Sequence, residues 1–291
     1  MNTRSRHLVT LASLLALAGC AADAPDRPDI RPVTLHRDTV APPLPVEDVV
    51  GRFDLLPIPG EPTGVAVEPD TGRRLILLSE GMIVDLESGE TLWSGVPLQG
   101  GTAFSDIVAL GGGRVAITSV SDGYLVDLAT GEITPHFCYE PGWWDGEGQD
   151  PVQLSQAVAH DAQRGILYAQ PRTLTAGGSG PVTESFVSAY DEASGADIAW
   201  WSIEDLGFVA TGMEMLEPGR EVGEARLLLA EGHTLHAFDG ASGDLTPVGD
   251  LYGLDVVYIS GLAIDREAGT LLVLDAGTRR VLEIRLDALG L

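Results

Sequence analysis

One short motif recurs five times in this chain, a hydroxyl residue leading into a brief apolar run. The copies are Thr63-Gly64-Val65-Ala66-Val67, Ser105-Asp106-Ile107-Val108-Ala109, Ser155-Gln156-Ala157-Val158-Ala159, Thr211-Gly212-Met213-Glu214-Met215 and Ser260-Gly261-Leu262-Ala263-Ile264. They are spaced 42, 50, 56 and 49 residues apart. Self-similarity on this scale restricts a chain to architectures in which one small unit is stacked repeatedly. A turn and a second apolar run follow each copy: Leu75 to Leu78, Val115 to Thr118, Ile166 to Ala169, Leu227 to Ala230 and Leu271 to Leu274. Runs this short, set between glycine-rich breaks, read as strands. Their unbroken apolar character means burial on both faces.

A third feature completes the unit. Asp85 to Gly89, Asp127 to Gly131, Asp191 to Gly195 and Asp239 to Gly243 share an aspartate at the start, a small or hydroxyl residue before the end, and a closing glycine. Asp, Ser and Thr side chains bond backbone amides inside tight turns, and glycine supplies the positive φ on which such turns end. A fourth strand follows, as in Glu90-Thr91-Leu92-Trp93. Four antiparallel strands per unit predict an all-β fold, a β-propeller of five four-stranded blades. Six blades are the alternative, if 134–153 or 171–186 contains a degenerate one. The fifth unit ends after Arg285-Leu286, before its fourth strand. Arg52-Phe53-Asp54-Leu55-Leu56 stands ahead of the first unit and would supply it, tying the two ends of the ring together.

Glu61-Pro62-Thr63-Gly64-Val65-Ala66-Val67-Glu68-Pro69-Asp70, followed by Arg74-Leu75-Ile76-Leu77, resembles the SdiA-regulated and NHL-type propellers, and Gly261-Leu262-Ala263-Ile264-Asp265 fits the same pattern. Val84 to Trp93 is similar to the repeats of PQQ-type propellers. The resemblance runs from about residue 50 to 287. It implies architecture rather than activity, because propellers host many unrelated functions.

The N-terminus carries a different signal. Arg4 and Arg6 precede an apolar run from Leu8 to Ala18. That run is too short to span a bilayer, which needs ~20 residues. A basic start, a short apolar stretch and small residues before a cut describe a secretory leader. Leu17-Ala18-Gly19-Cys20 resembles the bacterial lipobox, which implies cleavage before Cys20, lipid on that cysteine and attachment to an envelope membrane. Ala21 rather than Asp follows Cys20, which favours the outer membrane. Residues 20–48 are rich in proline and charge (Pro25, Pro28, Pro32, Pro42, Pro43 and Pro45) and read as a disordered tether. The expected organisation is a leader over 1–19, the lipidated cysteine and tether over 20–48, and a propeller over 49–291.

The chain has 17 basic and 43 acidic residues, a net charge of −26. Loss of Arg4 and Arg6 with the leader would take it to −28. Such a surface repels phosphate backbones, which argues against nucleic acid as a partner. With Cys20 taken by lipid, Cys138 has no intrachain partner. It reads as a buried apolar filler.

Strand order sorts the loops by face. In a four-stranded meander the start of the first strand and the turn between the second and third strands share one face. Thr63, Ser105, Ser155, Thr211 and Ser260 therefore ring that face, with Asp106 and Gln156 next in line. Glu80, Asp122, Glu231 and Asp275 lie in the second-to-third turns of the same side. The long segments 139–150, with Trp143 and Trp144, and 171–184 fall there too, and long loops on rigid scaffolds commonly carry function. Asp145, Glu147 and Asp150 alternate oxygen ligands with glycines, as a calcium loop does, although Asp150 and Gln156 break the EF-hand pattern. His233 and His236 should lie on opposite faces of a strand and so not share a metal. Glu214 is grouped with the same ligand or partner face, and it takes a core position of an innermost strand, where the other units place Ala66, Val108, Val158 and Ala263. A lone carboxylate there needs a partner, a metal or water.

These features favour a binding or scaffold module for an envelope protein or small ligand, with no cofactor beyond a candidate Ca2+. The alternative is a propeller hydrolase of the lactonase or esterase type. Lactonase-type propellers commonly use asparagine beside acidic ligands, and the sole asparagine here is Asn2. No G-x-S-x-G elbow occurs either.

Overall fold

The computed structural model describes residues 30–95, 103–119, 122–138, 152–177, 180–203 and 208–290; for 30, 122, 138, 152–156, 171–177 and 180–186 the description is of the backbone. Three strands come first: β1 (Ile30–Pro32), β2 (Thr34–Leu35) and β3 (Val49–Asp54). The repeated units follow. β4 (Pro62–Val67), β5 (Arg74–Leu78), β6 (Met82–Asp85) and β7 (Thr91–Ser94) make the first blade. β8 (Phe104–Gly111), β9 (Arg114–Ser119), β10 (Asp122–Asp127) and β11 (Ile133–Cys138) make the second. β12 (Val152–Asp161), β13 (Ile166–Gly177), β14 (Gly180–Asp191) and β15 (Asp197–Ser202) make the third. β16 (Gly212–Glu217), β17 (Arg226–Glu231), β18 (Thr234–Asp239) and β19 (Asp244–Asp250) make the fourth. β20 (Ile259–Asp265), β21 (Thr270–Asp275) and β22 (Arg280–Arg285) begin the fifth, and β3 completes it by pairing antiparallel with β22. The innermost strands β4, β8, β12, β16 and β20 touch in a closed ring. The fold is thus a five-bladed propeller, and the strand expected to close it does so.

Among the described residues the sheets number five, and the long stretches add no sixth blade. Residues 133–138 are the outer strand of the second blade. Residues 171–177 and 180–184 belong to β13 and β14, which stay paired out to Gly177 and Gly180.

The apolar runs are buried as their composition requires. Every residue of β21 is buried, and so is Leu75 to Leu78 of β5. The core divides into five clusters, each between neighbouring blades. One joins Tyr168 and Trp201 of the third blade to Leu229 and Phe238 of the fourth. Another joins Ile76 and Val84 of the first to Leu272 and Leu274 of the fifth. Arg74 ties that last interface further, reaching Glu283 at 2.8 Å and Asp265 at 3.5 Å.

The recurring turns have the geometry their residues predict. Asp85 Oδ1 accepts the N–H groups of Glu87 and Ser88, Asp127 those of Ala129 and Thr130, and Asp239 those of Ala241 and Ser242. Gly89, Gly131, Gly195 and Gly243 close the turns at φ of 70–77°.

The expectation of a disordered tether over 20–48 is corrected from residue 30 onward. β1 adds a parallel strand to β15, and β2 adds one to β19. Pro43 bridges to Asp250, and Leu44 is 5% exposed within the cluster between the fourth and fifth blades. Asp48 bonds Arg285. Proline suits these positions because an outermost strand leaves one side of its backbone free of ladder bonds. The lipobox, with Cys20, lies outside the described residues, as does the Cys138 side chain. Among the described residues no helix is long and apolar enough to cross a membrane.

Candidate functional site

The inner strands start on one face of the ring, here called the upper face, and end on the lower face. At the upper end of β4, β8 and β20 the ladder to the next strand slips by one residue, between Pro62 and Gly64, Phe104 and Asp106, and Ile259 and Gly261. The extra residue of each bulge is Thr63, Ser105 or Ser260. A bulge leaves its residue out of the ladder and re-aims the side chain. β12 slips in the same place, between Ser155 and Val158. The bulges are what turn Thr63, Ser105 and Ser260 away from the regular alternation of a strand.

A cavity of about 480 Å³ opens on the upper face, lined by Thr63, Ser105, Thr211 and Ser260, with Ser79 and Glu61 at its margin and Phe104, Tyr258, Pro62 and Ala103 supplying apolar wall. The Thr211 hydroxyl donates to the carbonyls of Ile259 and Ala230, and that of Thr63 to Leu77 at 3.4 Å. Ser260 is 7% exposed, and its Oγ has no partner. Of the five hydroxyls expected on this face, four meet here. The side chains of Ser155 and Gln156 lie outside the described set.

The acidic residues expected on the same face separate. Glu80 is exposed at the upper rim, where its Oε2 accepts the Glu61 N–H. Glu231 takes the Val209 N–H, and burial raises its pKa. Asp275 is fully buried. It accepts the N–H groups of Val257, Tyr258 and Gly277 and the Thr278 hydroxyl, so it builds the upper loops rather than meeting a ligand. Asp106 is likewise fully buried, its two oxygens taken by the N–H of Ile107 at 2.9 Å and of Val158 at 3.0 Å. Burial holds its carboxyl well above the usual range, and the nearby Glu214 charge adds to this. Asp122, Trp143, Trp144, Asp145, Glu147 and Asp150 lie outside the described residues or side chains. Among the described residues no group of three or more His, Cys, Asp or Glu is placed to hold a metal.

Glu214 does not belong to the upper face, where the sequence grouped it. It lines a second cavity of about 460 Å³ on the lower side, with Ala66, Val108, His160, Ile264 and Arg266. The two cavities share no lining residue. Between them the inner strands close up. A Cβ added to Gly64 would lie 2.8 Å from Asp106 Oδ1, one on Gly261 2.8 Å from the Val65 nitrogen, and one on Gly212 3.0 Å from Gly261. Glu214 accepts the N–H of Met215 at 2.7 Å and of Ile264 at 3.2 Å. Burial nevertheless pushes its pKa up to about 7, against the pull of those N–H groups and Arg266.

His233 and His236 part as expected. His233 meets Asp250 at 2.9 Å, whereas His236 is buried edge-on to Phe208 and burial lowers its pKa to about 4.

The sequence did not reveal one further feature of the upper face. Leu56 is 68% and Tyr252 72% exposed, and Val257 and Tyr258 are exposed beside them in the loops around β20. Leu55 pairs with Arg279 and Tyr258 with Ala276, so these loops are bound into one apron at the rim of the upper cavity.

No protein-family model matches this chain, and no curated protein does. Among solved structures it is similar to a chain in the crystal structure of the mitotic checkpoint complex, at 10% identity and a TM-score of 0.42, over 85% of this chain and 98% of that one. It is also similar to an auxiliary nutrient binding protein from Bacteroides thetaiotaomicron, at 10% identity and a TM-score of 0.45, over 84% of this chain and 75% of that one. At this identity neither likeness bears on function.

Proposed function

We propose that this chain is an envelope-anchored binding module that takes a small ligand or a protein partner on its upper face. The observation that carries the reading is the upper cavity, ringed by four hydroxyls, three of them turned out of the sheet by bulges, and bordered by exposed apolar loops. Its volume of about 480 Å³ suits a small molecule. Clustered exposed apolar side chains mark interaction surfaces. The lower face holds the Glu214 cavity among short turns whose aspartates and glycines are accounted for by turn chemistry. The ends of β11 and β12 that flank 139–151 stand on the upper side, which makes Trp143 and Trp144 the candidate anchors for a partner. Crosslinking in the native envelope, followed by Trp143→Ala and Trp144→Ala and, separately, Asp85→Ala and Asp239→Ala, tests the assignment. Loss of the partner with the tryptophan variants supports it; loss only with folded turn variants overturns it.

The anchor belongs to the same proposal. Cys20 carries the lipid, which holds the module at an envelope membrane, the outer one in the favoured reading. Cys20→Ala is expected to give an uncleaved precursor that takes up no labelled palmitate. Equal labelling of that variant would refute the anchor.

A second reading, a propeller hydrolase, draws on Glu214, whose pKa of about 7 in a cavity suits general acid–base work. Loss of an ester- or lactone-cleaving activity in Glu214→Gln with binding at the upper face intact would favour it.

A further inference from the structure

We propose that the upper cavity selects a small organic cation, a primary ammonium on an apolar stem. The inference rests on the binding role given to the upper face and adds the class of ligand. Hydrogen accounting points this way. The Thr211 and Thr63 hydroxyls give their hydrogens to backbone carbonyls and so offer the cavity lone pairs. Ser260 Oγ, 7% exposed, is buried without a partner and stands in the same lining. A buried hydroxyl left unpaired is costly, and a ligand that supplies the bond recovers that cost.

The described side chains that line the cavity carry acidic charge only, and Arg279 at the rim turns its guanidinium to the carbonyls of Leu55 and Ile58. Among the described residues of the lining, Glu61 is the only ionisable side chain other than the Tyr258 phenol, and Glu80 sits beside it. Among the described residues no Arg or His contributes to the wall. A carboxylate or phosphate could take the Ser260 hydrogen but would meet like charge at Glu61 and Glu80, whereas an ammonium brings three donors for the lone pairs of Thr63, Thr211 and Ser260 and the opposite charge. A bare metal ion is a poor match, because a single carboxylate among hydroxyls gives too few anionic ligands. The apolar part of the wall, with the Phe104 and Tyr258 rings, suits a hydrocarbon stem, and aromatic rings attract cations.

Ligand-observed NMR titration of the whole chain with benzylammonium, benzyl alcohol, benzoate and methyl glucoside tests this. Benzylammonium is expected to bind saturably and at least about tenfold more tightly than the alcohol, the worth of a charge-assisted hydrogen bond. Ser260→Ala should weaken it about fivefold or more, while Ser260→Thr, the residue that serves at positions 63 and 211, should retain it. Glu61→Gln should weaken it and reduce its salt dependence, and Glu87→Gln, an equal charge change on the lower face, should not. Binding of the alcohol or the glucoside as tightly as the ammonium, still sensitive to Ser260, would overturn the cation and leave the upper face as a binding site. Failure of every probe to bind at Ser260, with Ser260→Ala folded and indistinguishable from the parent, would overturn both.

Discussion

Glu214 shows how one side chain departs from its repeat and what that costs. The other blades place small or branched apolar residues where it stands, and burial raises its pKa from 4.5 to about 7. A carboxyl more easily protonated folded than unfolded stabilises the fold fully below the unfolded value and loses that contribution as pH climbs through the folded one. The window is therefore pH 4.5 to 7, and the loss is on the order of 3 kcal/mol. Asp106 acts in the same direction. Glu214→Gln is expected to flatten the fall in melting temperature across that window and to be the more stable protein at pH 8. Equal slopes for the two would show that Glu214 does not titrate as its burial requires. The anomaly of Glu214 was legible in the sequence because the repeat supplied four comparators. Its face was not, because both cavities line one axis and only the closed glycine layer between them separates upper from lower. The burial of Asp106 and Asp275 was also hidden, since their partners are backbone N–H groups from other strands or loops.

At the scale of elements, closure rests on chain ends. β3 fills the last blade, while β1 and β2 clamp the outer edges of the third and fourth. An unpaired edge strand invites aggregation, so removing β3 exposes β22. Deleting 49–54 is expected to abolish the cooperative melt. Leu44→Ala should cost about 2–5 kcal/mol, the range for emptying a buried leucine site. If deletion of 30–48 left the melting temperature unchanged, the packing of the arm would be refuted. The closing strand could be read from the sequence because the fifth unit visibly lacked its partner. The arm could not, because parallel pairing to an outer strand needs only a few backbone bonds and one buried leucine, and proline content outweighed both. The four Asp-to-Gly turns were legible in full because their bonds close within five residues. The bulges at Thr63, Ser105 and Ser260 were not, since a one-residue slip depends on the neighbouring strand.

Taken whole, the molecule is a short ring with two unlike ends. The upper end gathers the hydroxyl-lined cavity and the apolar apron of Leu56, Tyr252, Val257 and Tyr258, and the lower end gathers the Glu214 cavity and turns that satisfy themselves. A net charge of −26 surrounds both, so association with a basic partner should slow as salt rises. The polarity of the ring is the central claim, and amide hydrogen exchange on the whole chain, alone and with envelope extract from its own source, tests it most directly. Protection is expected in 55–63, 79–81, 252–260 and 276–278, with the lower turns 69–73, 85–90, 239–244 and 266–269 unchanged. Protection confined to those lower turns would contradict it.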